Sequence, residues 1–275
     1  MSDNDFVRAR AALDAGDLAT LGALLDTEVL RYRCFAGEWY DSGYFAGAML
    51  LHHVAGNPIR CPLPANVIEI TRLLLDRGAD PEARCGADRE SSLAGLLLTS
   101  KQASDAGVAV PLLEMLLDAG VSIDLDTPGV LTYPLWNAAR GTAEALVARG
   151  TPMDLRHAAA LGRLAVLEDL LAKDPDAALV EEALIFAAVQ GELESARRLV
   201  RHGARGDRLG QHGPATALHE AANRGHPEIV ALLLENGADP TVRDRRWNGT
   251  ALGWAEHGHP EHLATMRALL GQRKD

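Results

Sequence analysis

The stretch Thr216–Pro240 reads TALHEAANRGHPEIVALLLENGADP. It holds two runs with helical spacing, TALHEAANRG and PEIVALLLENG. The first carries the small pair Ala221 and Ala222, which lets a neighbouring helix approach closely. The second carries the stripe Ile229, Leu232 and Leu233. Pro227 falls where the second helix starts and its missing N–H is tolerated. Gly237 falls just after that helix, where a left-handed C-cap is wanted. Two short helices of this kind cannot bury both faces alone, so the stretch requires neighbours of its own type.

Such neighbours are present along nearly the whole chain, from about residue 5 to 270. TALGWAEHGHPEHLATMRALL (250–270), EALIFAAVQGELESARRLVRHGA (182–204) and MDLRHAAALGRLAVLEDLLA (153–172) follow the same pattern, and YPLWNAARGTAEALVARGT (133–151) follows it with one residue deleted. MLLHHVAGN (49–57) and NVIEITRLLLDRGADP (66–81) are the two halves of a copy split by an insert. SSLAGLLLTS with PLLEMLLDAG shows the same split form, and RARAALDAGDLATLGALLD (8–26) is a degenerate first copy. Gly78, Gly120, Gly150 and Gly203 end second helices as Gly237 does. The slot held by Glu220 is filled in the other copies by Ala11, His53, Gly95, Asn137, His157, Phe186 and Trp254. From His53 to Trp254 the interval averages 33.5 residues. An unrelated helical bundle would not produce eight copies in register.

That period, with the T-x-L-H-x-A-A signature and LLLDRGADP, resembles the ankyrin repeat family. The resemblance implies an all-α solenoid of about eight helix-turn-helix repeats in a single domain, 1–275. Its repeats are placed near 5–30, 41–81, 82–124, 125–152, 153–177, 178–207, 208–244 and 245–272. It also implies β-hairpin fingers between copies. EARCGADRESS, DLDTPGVLTY, RGDRLGQHGPAT and TVRDRRWNGT are long enough for fingers, whereas GTPMDL (150–155) and AKDPDAALVE (172–181) are not. Two central fingers are therefore expected to be short or missing, either by neutral erosion or to open one wall of the concave groove. Two further departures stand out. RYRCFAGEWYDSGYFAGA (31–48) holds five of the eight Phe and Tyr residues, suited to plugging an end repeat or to recognition. The inserts PIRCPLPA (58–65) and KQASDAGVAV (101–110) lie between the helices of a copy, opposite the fingers, and read as structural.

Composition narrows the function classes. The 275 residues are 47% hydrophobic but only 4% aromatic, which suits close helix packing. The net charge of -11 argues against a nucleic-acid backbone as the main partner. Arg far outnumbers Lys, whose positions are Lys101, Lys173 and Lys274, which reads as a high-GC coding bias. Cys34, Cys61 and Cys85 form no CxxC pair, so a reducing cytosol is expected. Neither a leader peptide nor an apolar run long enough to span a membrane is visible. No P-loop, G-x-S-x-G, H-E-x-x-H or dinucleotide fingerprint occurs, and no cofactor is expected.

The resemblance implies that the variable slot faces the concave groove and that partner contacts come from it and from finger tips. The leading expectation is a soluble, cytosolic, bacterial, monomeric module that binds a protein partner, with no nucleic acid or membrane partner. Its contacts would be His53, Trp136, Asn137, His157, Phe186, Glu220 and Trp254, with Arg243, Arg245, Arg246 and Trp247 on the last finger, since Arg and Trp are common anchors. The alternative is a small-molecule binder or enzyme whose pocket sits near repeats 4–7, with His157 and Glu220 as its acid–base pair. Two repeats apart, those backbones would lie roughly 20 Å apart, bridged only by a ligand. A self-associating structural protein with an uncapped apolar end is a third class. His52 occupies the same slot as His219, the family's signature histidine, and both are read as structural. HGHPEH (257–262) lacks a completing Cys or acid cluster, so no metal site is assigned.

Overall fold

The computed structural model describes residues 3–26, 48–56, 62–86, 91–123, 128–137 and 139–271. They fall into two compact units, Met1–Asp124 and Leu125–Asp275.

In the first unit, helices α1 (Asp3–Ala15) and α2 (Leu18–Leu25) form the first pair, and α3 (Leu50–Gly56) and α4 (Val67–Asp76) the second. The third copy has α5 (Leu93–Leu98) and α7 (Ala109–Asp118), with a short helix α6 (Lys101–Asp105) formed by its insert. First helices pack on first helices, α3 on α5, and second helices on second, α2 on α4 and α4 on α7. Asn66 and Arg77 from α4's two ends donate to the carbonyls of Gly16 and Gly22, lacing the pairs together. The aromatic stretch 31–47, the first part of the insert 58–65 and Cys34 and Cys61 lie outside the described residues.

The second unit continues with α8 (Thr132–Trp136), α9 (Arg140–Ala148), α10 (Leu155–Ala160), α11 (Leu164–Leu171), α12 (Ala177–Gln190), α13 (Leu193–Arg201), α14 (Ala217–Arg224), α15 (Pro227–Glu235), α16 (Ala251–His257) and α17 (Leu263–Leu270). Here α10, α12, α14 and α16 stack in order, and α11, α13, α15 and α17 form the outer layer. The inner faces are alanine: Ala158, Ala159, Ala187, Ala188, Ala221, Ala222 and Ala255 are all 2% exposed or less. Leu167, Leu199, Ile229, Leu233 and Met266 fill the space between the layers. Pro227 is at the first turn of α15 as expected, whereas Pro260 opens a separate 3₁₀ turn, Pro260–His262, before α17.

The joints are where the fold departs from regular fingers. Among the described residues the sole strand pair is β1 (Arg84–Cys85) with β2 (Ser91–Ser92), antiparallel, in EARCGADRESS. RGDRLGQHGPAT and TVRDRRWNGT close as turns, with Gly210 N–H donating to Ala215 O and Asp244 N–H to Gly249 O. In DLDTPGVLTY, where 124–127 lie outside the description, a 3₁₀ turn covers Pro128–Leu131. The two central joints carry no strand. The second of them is taken over by α12, whose 14 residues start at Ala177 and outlast α14's 8.

Gly225 and Gly237 end α14 and α15 at φ 76° and 86°. A side chain at either must hold the left-handed region, at about 1–2 kcal/mol. An added Cβ meets nothing within 4 Å at Gly237 but runs into the His262 imidazole at Gly225. Gly237→Ala should therefore cost about 1 kcal/mol and Gly225→Ala visibly more, read by urea unfolding. Equal costs would mean that His262 moves aside freely.

Candidate functional site

The variable slot turns inward. His53, His157 and Phe186 are 0% exposed and Glu220 is 4%. Trp136 and Trp254 are half-buried, and Ala11 and Asn137, the C-cap of α8, are open to solvent. In the second unit each buried member is followed by an alanine that packs on the next helix, as His157 precedes Ala158, Phe186 precedes Ala187 and Glu220 precedes Ala221, so close stacking encloses the slot with it. The expectation that His53, His157, Phe186 and Glu220 line an open groove is thus corrected.

His157 also belongs to a different register. Counted from the C-terminal glycine of its helix it matches Glu220; counted from the N-cap it matches His219. The helices differ in length, 6 residues for α10 and 8 for α14, so the two counts disagree. The N-terminal count agrees with the contacts. Asp154 caps α10 by accepting from the N–H groups of Arg156 and His157, and His157 Nδ1 lies 2.9 Å from Asp154 Oδ1. His219 likewise contacts its own cap: Thr216 N–H points at Nδ1, and Nε2–H donates to Gly249 O at 3.1 Å. His52 repeats this in the first unit, accepting from Met49 N–H and donating to Ala83 O, 31 residues on. His52 and His219 thus pin a first helix to the following joint. Burial lowers the pKa of His52 and His219, and burial, with Arg10 and His52 nearby, brings His53 down to about 3.

The acid–base pair does not form. His157 Nε2 is 3.1 Å from Thr132 Oγ1, while Glu220 Oε2 is 3.5 Å from Arg224 Nε. Burial raises the Glu220 pKa against the opposing Arg224 charge. Arg224 in turn donates to Trp136 O. The place for a ligand pocket is filled by the Phe186 ring, packed edge-on against Trp136, His157 and His212 at 5.4, 6.0 and 6.0 Å. A surface groove of about 550 Å³ lies elsewhere, between α2 and α4. His259, in HGHPEH, pairs with Glu261 at the surface.

Two buried acids escaped sequence reading. Glu181 and Glu182 sit in the extra turns of α12, where a finger is missing. Glu181 accepts from Arg205 and Gly206 N–H, and Glu182 from Gln211 N–H, His212 N–H and the His212 ring. The carboxylates thereby anchor the next joint, supplying acceptors to backbone donors of the joint that follows. Burial raises the Glu181 pKa, opposed by those N–H bonds. The readable signal was an acid pair inside an otherwise apolar helix, AALVEEALIFAAVQ.

The last finger is held by a third buried acid, Asp244, 4% exposed. Its oxygens accept from the N–H groups of Arg246, Trp247 and Gly249, each at 2.7 Å, and from Trp254 Nε1 at 3.0 Å. Arg245 ties the loop to the preceding joint through Pro214 O and Gly210 O. Around this knot Arg243, Arg245, Arg246 and Trp247 are exposed, as the sequence suggested. Trp247 is 65% exposed, with the Arg246 guanidinium 5.0 Å from its ring and Trp254 beneath at 5.3 Å.

Two outcomes follow from these acids. Glu182→Ala strips acceptors from two backbone donors and should cost about 2–4 kcal/mol in urea unfolding, with faster amide exchange at Gln211 and His212. Unchanged exchange there would refute the anchoring role. For Asp244, burial raises the pKa, but the hydrogen bonds from Trp247, Trp254, Gly249 and Arg246 outweigh it and hold it at about 2. The unfolded carboxyl titrates near about 3.9, above the folded value, so its stabilisation is complete above that pH and lost as pH falls from about 4 to about 2. Trp emission followed through this window should show a transition that Asp244→Asn lacks.

Comparison with known proteins accords with this architecture. A family model described as ankyrin repeats (3 copies) matches residues 155–244. A probable E3 ubiquitin-protein ligase, XBOS32 of Oryza sativa subsp. japonica, is 37% identical over 86 residues, 31% of this chain and 17% of that protein. Human ankyrin repeat and SOCS box protein 6 is 36% identical over 115 residues, 39% of this chain and 26% of its own. The mouse palmitoyltransferase ZDHHC13 is 43% identical over 61 residues, 22% of this chain and 10% of its own. The chain therefore spans about a quarter or less of each of these relatives. The matched residues run from the first turn of α10 to Asp244, through the helices whose alanine faces stack in order, and with that agreement of sequence and packing this chain carries ankyrin repeats over residues 155–244.

Proposed function

We propose that this chain binds a protein partner through its C-terminal finger, residues 241–250, with Trp247 as the central anchor. The observation that carries the reading is a large indole left 65% exposed on a loop that Asp244 holds fixed. Trp and Arg dominate binding energy at protein interfaces, and a loop already rigid loses little conformational entropy on binding. The inward slot supports the same choice: His53, His157, Phe186 and Glu220 have little or no surface to offer. Asn137 and the half-buried Trp136 and Trp254 are left as secondary contacts. The reading takes the protein to act as a monomer in a reducing cytosol.

The test is photo-cross-linking in the source cell. Benzoylphenylalanine at position 247 should yield a discrete protein adduct, and the same probe at the exposed position 201 on α13 should not. The adduct partner, purified, should bind the unmodified chain and lose at least about tenfold in affinity with Trp247→Ala. Adducts at 201 alone, or unchanged affinity in the variant, would remove the finger from the interface.

A further inference from the structure

We propose that the finger reads an acidic, extended segment of that partner, with its Asp or Glu carboxylates on Arg243, Arg245 and Arg246 and its chain laid against Trp247. The inference rests on the partner-binding reading above and names the chemistry it would recognise.

Three arginines within four positions are an exception in a chain of net charge -11. Among the described residues, no ion pair joins them to a carboxylate. Arg243 donates to Asn248 O, Arg245 to Gly210 O, and Arg246 lies over the Trp247 ring. The nearby acids are engaged otherwise. Asp244 is buried beneath its four donors, Asp239 accepts from Thr241, and Asp207 pairs with Arg205. Each guanidinium has five N–H donors in a fixed fork, so one bond to a carbonyl leaves donors for a carboxylate. The single carbonyl bonds made by Arg243 and Arg245 thus orient these side chains without neutralising them.

The same geometry disfavours nucleic acid. A polyanion gains affinity by neutralising many phosphates along its length, and beyond this small patch it would meet a protein of net negative charge. A short acidic segment samples only the local field, because charges further than about 8 Å are screened at physiological salt. Trp247 adds an apolar face that an extended chain can cover, beside the Arg246 guanidinium, where desolvation strengthens a charge pair.

The experiment uses the full chain and fluorescence anisotropy of labelled oligoglutamate, with oligolysine and oligothymidylate of equal length as comparisons. Oligoglutamate should bind, weaken as salt rises, and bind at least about tenfold less tightly to the Arg243→Gln/Arg246→Gln double variant. Arg201→Gln, on exposed α13, should leave affinity unchanged. Circular dichroism and unfolding midpoints matched to the unsubstituted chain establish that the variants fold. No affinity for oligoglutamate, equal affinity in the double variant, or tighter binding of oligothymidylate overturns the proposal. A protein adduct at position 247 with no affinity for oligoglutamate rejects the acidic chemistry and leaves partner binding standing; absence of both removes both.

Discussion

Close contact between alanine-faced first helices is the constraint on which the second unit depends. Ala158 and Ala159 on α10, Ala187 and Ala188 on α12, and Ala221 and Ala222 on α14 leave no side chain beyond a methyl between successive backbones. Van der Waals attraction falls off steeply with separation, so the stack gains its packing only at this short range. The same closeness dictates the fate of neighbouring positions. A residue one place before the alanine pair is swept into the interior, and its chemistry is then limited to what the interior can satisfy. Phe186 fills space, Glu220 takes Arg224 as a partner, and His157 joins its own N-cap.

A stack this tight leaves joints whose backbone groups still need partners. The chain meets that need in several ways. One joint uses a two-stranded ladder, β1 with β2. Histidines at the third helical position carry an N–H to a carbonyl about thirty residues on, in two copies. Where a finger is missing, α12 begins early and Glu181 and Glu182 supply carboxylate acceptors for the joint that follows. At the last finger Asp244 collects three backbone donors and an indole. Buried carboxylates are costly unless fully hydrogen-bonded, and all three of these acids receive multiple donors. The missing central finger is therefore compensated structurally by a longer helix and an acid pair.

This arrangement sorts the polar residues into two populations. Those fixed inside act on the fold, and the histidines and acids of the slot have little or no surface to offer. Those outside are displayed by the joints, and the last joint displays the most distinctive set. The knot beneath it fixes that display: Asp244 accepts from the Trp247 N–H, and the Trp254 ring packs against the Trp247 indole.

The repeat architecture was legible from local pattern alone. Alanine pairs, leucine stripes and terminal glycines recur at a nearly constant interval because each copy faces the same packing problem, and the positive φ of Gly225 and Gly237 is a local consequence of ending a helix. The exposed last finger was legible too, since a run of Arg and Trp between helices has nowhere to bury its charges. The orientation of the slot was not, because a one-letter position says nothing of how near the next helix comes. Nor was the register of His157, which depends on where its helix begins, a matter settled by the Asp154 cap. The anchoring acids were also hidden: Glu181, Glu182 and Asp244 bond to backbone amides, and amides carry no identity in the sequence. Periodicity and capping are properties of neighbouring residues, so the sequence alone determined them; burial and hydrogen-bond partnership join residues thirty to 88 positions apart, and only the packed stack decided them.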